Sequence, residues 1–341
     1  MLVRQTRPEL EATTVALLLT RSDVAAVLDL DACIDAVEDA FRAHGRGETG
    51  PPGVLGIHAA SGGFHIKAGL LRVAGREYFV AKTNSNYPGN PRDRGLPTIQ
   101  GVIVLCDAAD GRMLALMDSI EITILRTGAA TAVAAKYLAR RDADVAAIAG
   151  CGLQGRVQLG ALSRVRTLTR AFAFDLDADA ATRFAREMTA ELEIEVTATR
   201  DYAAAARDAD LCVTCTPSRA PFLRRAHVRM GTFIAGVGAD NEEKSELAPD
   251  LLAGATVVVD VLEQCAVIGD LHHAIEAGAM TRDDVHATLG EVVAGRKPGR
   301  RSEDEIIVFD STGMALQDAA TAARVYERAV ARGMGRDITF A

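Results

Sequence analysis

The chain has 341 residues, 49% of them hydrophobic and 25% charged, with a formal net charge of −8. Such values describe a globular protein long enough for two domains around sizeable cores. The acidic balance, the 4% aromatic content and the lack of Trp argue against nucleic acid as a partner, since that needs basic stripes or stacking platforms.

The first apolar run, TTVALLLT at 13–20, is too short to span a bilayer and lacks a small-residue cleavage site. A cytoplasmic protein with no membrane partner is therefore expected. Ser22–Asp23 can cap a short helix, and the spacing of Ile34, Val37 and Phe41 predicts an amphipathic helix from Asp31 to about Gly45. Residues 45–63, rich in Gly and Pro, read as a loop. Strands are predicted over 64–71, 77–83 and 101–106, the last joined through DAADG to MLALMD as a hairpin. Asp118 with Glu121 resembles a capping box at the start of an Ala-rich helix over 119–139.

Beyond RRDAD, short apolar strands alternate with helices: 145–150, 171–175, 194–199, 211–216, 232–238, 256–260 and 305–310. That alternation predicts an α/β fold with a parallel, doubly wound sheet. It follows a mixed α+β first domain, and an amphipathic helix over 314–334 can pack back on that domain. Six cysteines lie at 33, 106, 151, 212, 215 and 265. Cys212 and Cys215 have the spacing of a redox or metal pair. On a strand, however, positions i and i+3 face opposite ways, so two small core residues are expected and no metal.

Three features carry chemistry. In GGFHIKAGLL, residues 62–71, His65 and Lys67 share one face of a strand whose other face is Phe64, Ile66 and Ala68. In VAAIAGCGLQGRVQL, Gly150, Gly152 and Gly155 follow a strand and open a helix, the setting in which this spacing binds a dinucleotide. Gly150 allows the tight turn and Gly152 admits the pyrophosphate. Gly155 lets helix and strand close up, and the helix start at Leu153 and Gln154 supplies unpaired N–H groups. The next strand ends at Asp175, 23 residues past Gly152, where a carboxylate accepts from ribose hydroxyls and repels a 2′-phosphate. NAD rather than NADP is expected. The bland alternatives are a ligand-free glycine turn and a solvated strand-end acid.

The segments KTNSNYPGNP…GLPTIQG, ILRTGAATAVAAKYLA, GCGLQGRVQL, GADNEEKSEL and VFDSTGMALQD occur in this order over about residues 80–320. Together they resemble the ornithine cyclodeaminase/mu-crystallin family. The resemblance implies a Rossmann domain binding NAD, here 126–313, and a substrate-binding and dimerisation domain, here 1–125 with 314–341. It also implies a homodimer and a small amino or imino acid as substrate, with hydride exchanged at a carbon bearing nitrogen. By resemblance Lys82 and Arg126 grip the substrate carboxylate, and Asp240 handles protons. Thr98, Thr127, Thr216 and Ser311 fall at cofactor positions. Apart from any resemblance, Arg126 reads as a solvated helix-start charge or a carboxylate grip, and Asp240 as a turn residue or a proton relay.

The sequence departs from the family at two places. Val54 stands where an arginine is usual, and His65 where ornithine cyclodeaminases carry a glutamate for the distal ammonium. Lys67 and His65 then rebuild an anion-binding surface beside Lys82, or Lys67 snorkels to solvent and His65 is structural. The first expectation is an NAD-dependent reductase or dehydrogenase of an α-imino or α-amino acid, a dicarboxylic one being the fit for the extra cations. A cyclodeaminase and a non-catalytic crystallin-like binder are the alternatives.

Overall fold

The computed structural model describes residues 14–340, so 1–13 of the expected first domain and residue 341 lie outside the described part. One sheet has eight strands, all parallel, in the order Ala287–Thr288, Thr256–Val259, Ile307–Asp310, Phe233–Gly236, Leu211–Thr214, Val145–Ala149, Arg170–Phe174, Glu195–Thr199. Val145–Ala149, Leu211–Thr214, Phe233–Gly236 and Ile307–Asp310 are buried at every position. Burial on both faces is why they read as unbroken apolar runs rather than alternating ones. The chain fills one side of Val145–Ala149 with Arg170–Phe174 and Glu195–Thr199, then crosses to Leu211–Thr214 on the other side. The doubly wound α/β expectation is met.

The second sheet has seven strands, in the order Arg336–Phe340, Thr14–Leu19, Met113–Asp118, Ile99–Asp107, Arg76–Asn86, Gly62–Val73, Gly53–Ala59. All its pairs are antiparallel except Thr14–Leu19 with Met113–Asp118. Its inner face carries Leu71, Tyr78, Val80, Ile103 and Leu105, all buried. The helix Ala315–Arg332 lies against the strands Gly62–Val73 and Arg76–Asn86, and the helix Leu30–Gly45 packs against it in turn. The outer face of the same sheet carries Leu55, Ile57, Phe64, Leu70 and Val102, all exposed.

Three local expectations are corrected and one pairing is new. The stretch 45–63 is not all loop: Gly53–Ala59 is a fully exposed edge strand, whose backbone bonds come from pairing with Gly62–Ala68 rather than from any burial pattern of its own. The run at 14–19 and residues 336–340 pair with each other as strands, a contact between the two ends of the sequence that local pattern does not carry. The first helix, Arg21–Val27, is capped by Thr20 and not by Ser22–Asp23; Asp23 closes a capping box by accepting from the Thr20 N–H at 2.9 Å. Asp118 and Glu121 form no box either. Asp118 accepts from the Ile120 N–H at 2.8 Å, Ser119 makes no side-chain cap, and Glu121 pairs with Arg21 at 2.6 Å. The cysteines are all free, and burial pushes the Cys212 thiol up to about 12, as expected for core residues. No helix among the described residues is long and apolar enough to cross a membrane.

Candidate active site

Strand order reverses between Val145–Ala149 and Leu211–Thr214, and ligands of open parallel sheets bind in the crevice outside such a point. Gly150, with φ 101°, leads from the first of these strands toward the helix Leu153–Val165. A Cβ on Gly155 would lie 2.0 Å from the Gly150 carbonyl oxygen, so only glycine lets this helix close on the turn. A Cβ on Gly152 would meet nothing within 4 Å: the position faces the open space a pyrophosphate requires. Gly152 is the N-cap and provides no side-chain acceptor, which leaves the helix-start N–H groups of Leu153 and Gln154 for a ligand. Gln154 also holds a buried Oε1 without a hydrogen-bond partner. Open space and unspent donors fit a dinucleotide.

The other expected cofactor residues lie on several different elements. Asp175 accepts from the Cys151 N–H at 2.9 Å and the Asp177 N–H at 3.0 Å, so it braces the glycine turn from the next strand end. Thr216, just past Leu211–Thr214, donates through its N–H and hydroxyl to Glu246 Oε1 at 2.6 and 2.7 Å. Ser311 follows Ile307–Asp310, its hydroxyl 3.4 Å from Asp260. Thr127 is buried on the helix Ile120–Leu138 and bonds back to the Thr123 carbonyl at 2.7 Å. Thr98 precedes Ile99–Asp107, and its carbonyl accepts from the Tyr87 N–H at 2.8 Å.

Lys67 and Lys82 are direct cross-strand partners on the inner face of the seven-stranded sheet. Like charges placed opposite each other weaken a sheet unless something absorbs them. Here the two ammonium groups diverge. Lys67 donates to the carbonyls of Thr312 at 2.8 Å and Gly313 at 2.6 Å. It is only 8% exposed, so the snorkelling alternative is wrong: the helix covering this face leaves no path to water. Lys82 donates to Asp318 Oδ1 at 2.8 Å. Arg126 brings its Nε within 3.3 Å of that same oxygen, and its Nη1 donates to Gln317 at 3.0 Å. Arg126 is itself buried, so it is not a solvated helix-start charge. A strand, a mid-chain helix and the C-terminal helix thus meet at one carboxylate.

Burial lowers the Lys82 ammonium to about 7, with Asp318 pulling up and Arg126 and Lys67 pushing further down. Burial likewise lowers Lys67, followed by the charge of Arg126. Asp318 moves the other way: burial raises it, but Lys82 and Arg126 outweigh that and hold it below its ordinary value. Asp240 accepts from Lys244 at 2.6 Å. Burial raises it too, yet Lys244, Lys67 and His65 leave it net lowered and anionic. His65 is held below its ordinary value by burial, against the pull of Asp240, which makes it a neutral imidazole near pH 7. Asp240, His65 and Lys67 therefore share one electrostatic neighbourhood.

Sequence reasoning missed Asp318 and Gln317, although both sit in the quoted VFDSTGMALQD. An acid flanked by apolar residues in the first turn of a buried helix was the available signal. It also missed four wholly buried acids at the carboxyl edge of the parallel sheet: Glu246, Asp260, Asp270 and Asp310. Asp260 accepts from the Gly313 N–H at 2.6 Å and the Thr312 hydroxyl at 3.0 Å. Gln264 donates to the Thr312 hydroxyl at 2.9 Å and the Gly313 carbonyl at 3.0 Å. The segment 311–313 is thereby clamped between Asp260, Gln264 and Lys67.

Comparison with known proteins matches the fold along nearly the whole chain. The family model described as "Ornithine cyclodeaminase/mu-crystallin family" matches residues 14–333. An archaeal alanine dehydrogenase, a dimer with bound NAD, is 39% identical, with a TM-score of 0.91 over 96% of this chain and 100% of that one. The Δ1-pyrroline-2-carboxylate reductase of Thermococcus litoralis, in complex with NADH and L-proline, is 34% identical, with a TM-score of 0.89 over 94% of this chain and 100% of that one. The iminosuccinate reductase of Paracoccus denitrificans, in complex with NAD+, is 31% identical, with a TM-score of 0.87 over 96% of this chain and 100% of that one. A glycine turn at the strand-order reversal, a buried cation pair on one carboxylate and a match along nearly the whole length lead to one conclusion: the chain belongs to the ornithine cyclodeaminase/mu-crystallin family.

Proposed function

We propose that the protein is an NAD-dependent oxidoreductase that interconverts a small α-amino acid and the corresponding α-imino acid, as a cytoplasmic homodimer. The observation that carries this reading is the convergence of buried Lys82 and Arg126 on Asp318, beside Gly313, which follows the parallel strand Ile307–Asp310. Residues 126–313 serve the coenzyme, and 1–125 with 314–341 serve the substrate and the dimer; the helix Ile120–Leu138 runs across that boundary. When bound, the nicotinamide accepts or supplies the hydride.

Arg126 and Lys82 hold the substrate carboxylate, the fork fixing its plane and the ammonium adding a second charge. This orients the α-carbon. Asp240, anionic for the reasons above, takes a proton from the substrate nitrogen as the α-hydrogen leaves as hydride, and returns it in the reverse direction. Gly150, Gly152, Leu153, Gln154 and Gly155 cradle the pyrophosphate, Asp175 meets the ribose, and Thr98, Thr127, Thr216 and Ser311 border the nicotinamide half. A dicarboxylic imino acid suits the site best. An ammonium has three donors and Lys67 uses two on carbonyls, which leaves one for a second carboxylate, while neutral His65 offers no anion for a distal amine.

The test follows the absorbance of reduced nicotinamide. Purified protein is supplied with NAD and a panel of amino acids, or with NADH and 2-oxo acids plus ammonia, including dicarboxylic ones. Net oxidation or reduction is expected. Proline formed from ornithine with no net coenzyme change would replace this reading with cyclodeamination.

A further inference from the structure

We propose that Asp318 is a positioning residue for the carboxylate-binding pair: reaching in from the C-terminal helix, it fixes Lys82 and Arg126 on one oxygen and keeps Lys82 charged to receive an acid. The inference rests on reading Lys82 and Arg126 as the substrate grip, and its test does not depend on turnover.

The geometry is specific. Asp318 is fully buried in the first turn of Ala315–Arg332, where a negative charge is favoured by the helix dipole. Its Oδ1 serves both cations, at 2.8 Å from Lys82 Nζ and 3.3 Å from Arg126 Nε. Its Oδ2 has no hydrogen-bond partner although it is buried, and neither does the neighbouring Gln317 Nε2. An acid kept for stability alone would have both oxygens satisfied, since a buried unpaired acceptor is costly. Arg126 Nε makes no hydrogen bond either, its approach to Oδ1 being an ion pair alone, so one oxygen committed and one spare is the arrangement of a group that steadies two cations while they wait for a third partner.

The charges facing Lys82 come from three elements. Lys67 stands opposite it on the next strand, Arg126 approaches from Ile120–Leu138, and Asp318 is the one acid among the described residues in contact with it. The Thr123 hydroxyl lies 3.5 Å away, at the limit of a hydrogen bond. Asp240 is itself held by Lys244, and its charge acts on His65 and, after Asp318 and Asp260, on Lys67. Without Asp318, two fixed or partly fixed cations would face Lys82 with no counter-ion. An arginine cannot shed its proton, so Lys82 would.

The chain has five lysines, at 67, 82, 136, 244 and 297, so ε-13C-lysine labelling gives a spectrum in which each can be followed. Lys82 is assigned from Lys82→Arg, and its titration is read in the full-length protein with and without NADH. In the parent a midpoint near 7 is expected. Asp318→Asn should lower it by about one unit or more, and Asp318→Glu should restore most of the loss. Arg126→Gln keeps the carboxylate and removes a competing cation, so it should move the midpoint upward; this arm stands even if Asp318→Asn does not fold. A purely structural aspartate would lower thermal stability and leave the Lys82 midpoint in place. An unmoved midpoint in Asp318→Asn, or a fall in Arg126→Gln, overturns the proposal. Expected midpoints with no turnover of any amino or oxo acid would overturn the functional reading, and with it the substrate-binding purpose, while leaving the control of Lys82 by Asp318 established.

Discussion

At the scale of single residues, the site is a problem in placing like charges. Lys67 and Lys82 face each other across two strands, and both survive burial because backbone carbonyls take one and a carboxylate the other. Lys67→Met should raise KM for a dicarboxylic substrate roughly 10- to 100-fold over its effect on a monocarboxylic one, the size expected for one charged hydrogen bond. The ratio of the two KM values is the readout, because the substitution also strands the Thr312 and Gly313 carbonyls and lowers stability. A second prediction concerns Asp310. Burial, with Asp260 and Glu246 nearby, pushes it from 3.8 up to about 7. The folded state therefore binds a proton that the unfolded chain has lost over that window, so this group's stabilisation is complete below 3.8 and fades as pH rises through about 7. Thermal melts should show this decline, and Asp310→Asn should flatten it. The variant's melting temperature should also be lower throughout, since the Asp270 and Leu271 N–H groups reach two different oxygens and an amide replaces one of them with NH2. Of these residues the sequence exposed the cations, whose charge is anomalous on apolar strands. The acids that answer them lie hundreds of positions away or inside apolar helices, and nothing local marks them as partners.

At the scale of elements, the glycine turn was legible because it is a local device. Its three glycines differ in what they tolerate, and that difference is testable. Gly152→Ala places a Cβ in open space at an ordinary backbone angle, so stability should change by less than about 0.5 kcal/mol. NADH affinity, measured by fluorescence titration, should nevertheless fall roughly tenfold or more, about 1.4 kcal/mol. Gly155→Ala, with its Cβ 2.0 Å from the Gly150 oxygen, should lower both stability and affinity. Equal effects of the two on the melting temperature would contradict the assignment of Gly152 to the ligand. The parallel strands were equally legible, since burial on both faces leaves continuous apolar runs. The edge strand Gly53–Ala59 was not: it is exposed at every position, and its Gly and Pro neighbours imitate a loop. Helix starts shifted by a residue or two because several Ser, Thr and Asp side chains compete for each cap, and only the folded backbone decides which one bonds.

At the scale of the whole molecule, the seven-stranded sheet offers, among the described residues, one covered and one uncovered face. Leu55 and Val102 lie on a single rung of the uncovered face, 54% and 44% exposed, among further apolar side chains. A patch of this kind marks an interface. Leu55→Glu combined with Val102→Glu should turn a dimer into a monomer in sedimentation velocity while leaving the coenzyme turn intact; a parent that sediments as a monomer would remove the homodimer from the reading. By itself the sequence determined the layered α/β class, the dinucleotide turn and the candidate cations, because periodicity, glycine spacing and charge on apolar strands are written within a few residues of one another. Only the tertiary structure decided that residues 14–19 pair with 336–340, that Lys67 is clamped to 312–313, and that Lys82 and Arg126 share Asp318. Those contacts join segments far apart in the chain, and their energies depend on distance and burial, which exist only once the chain has closed on itself.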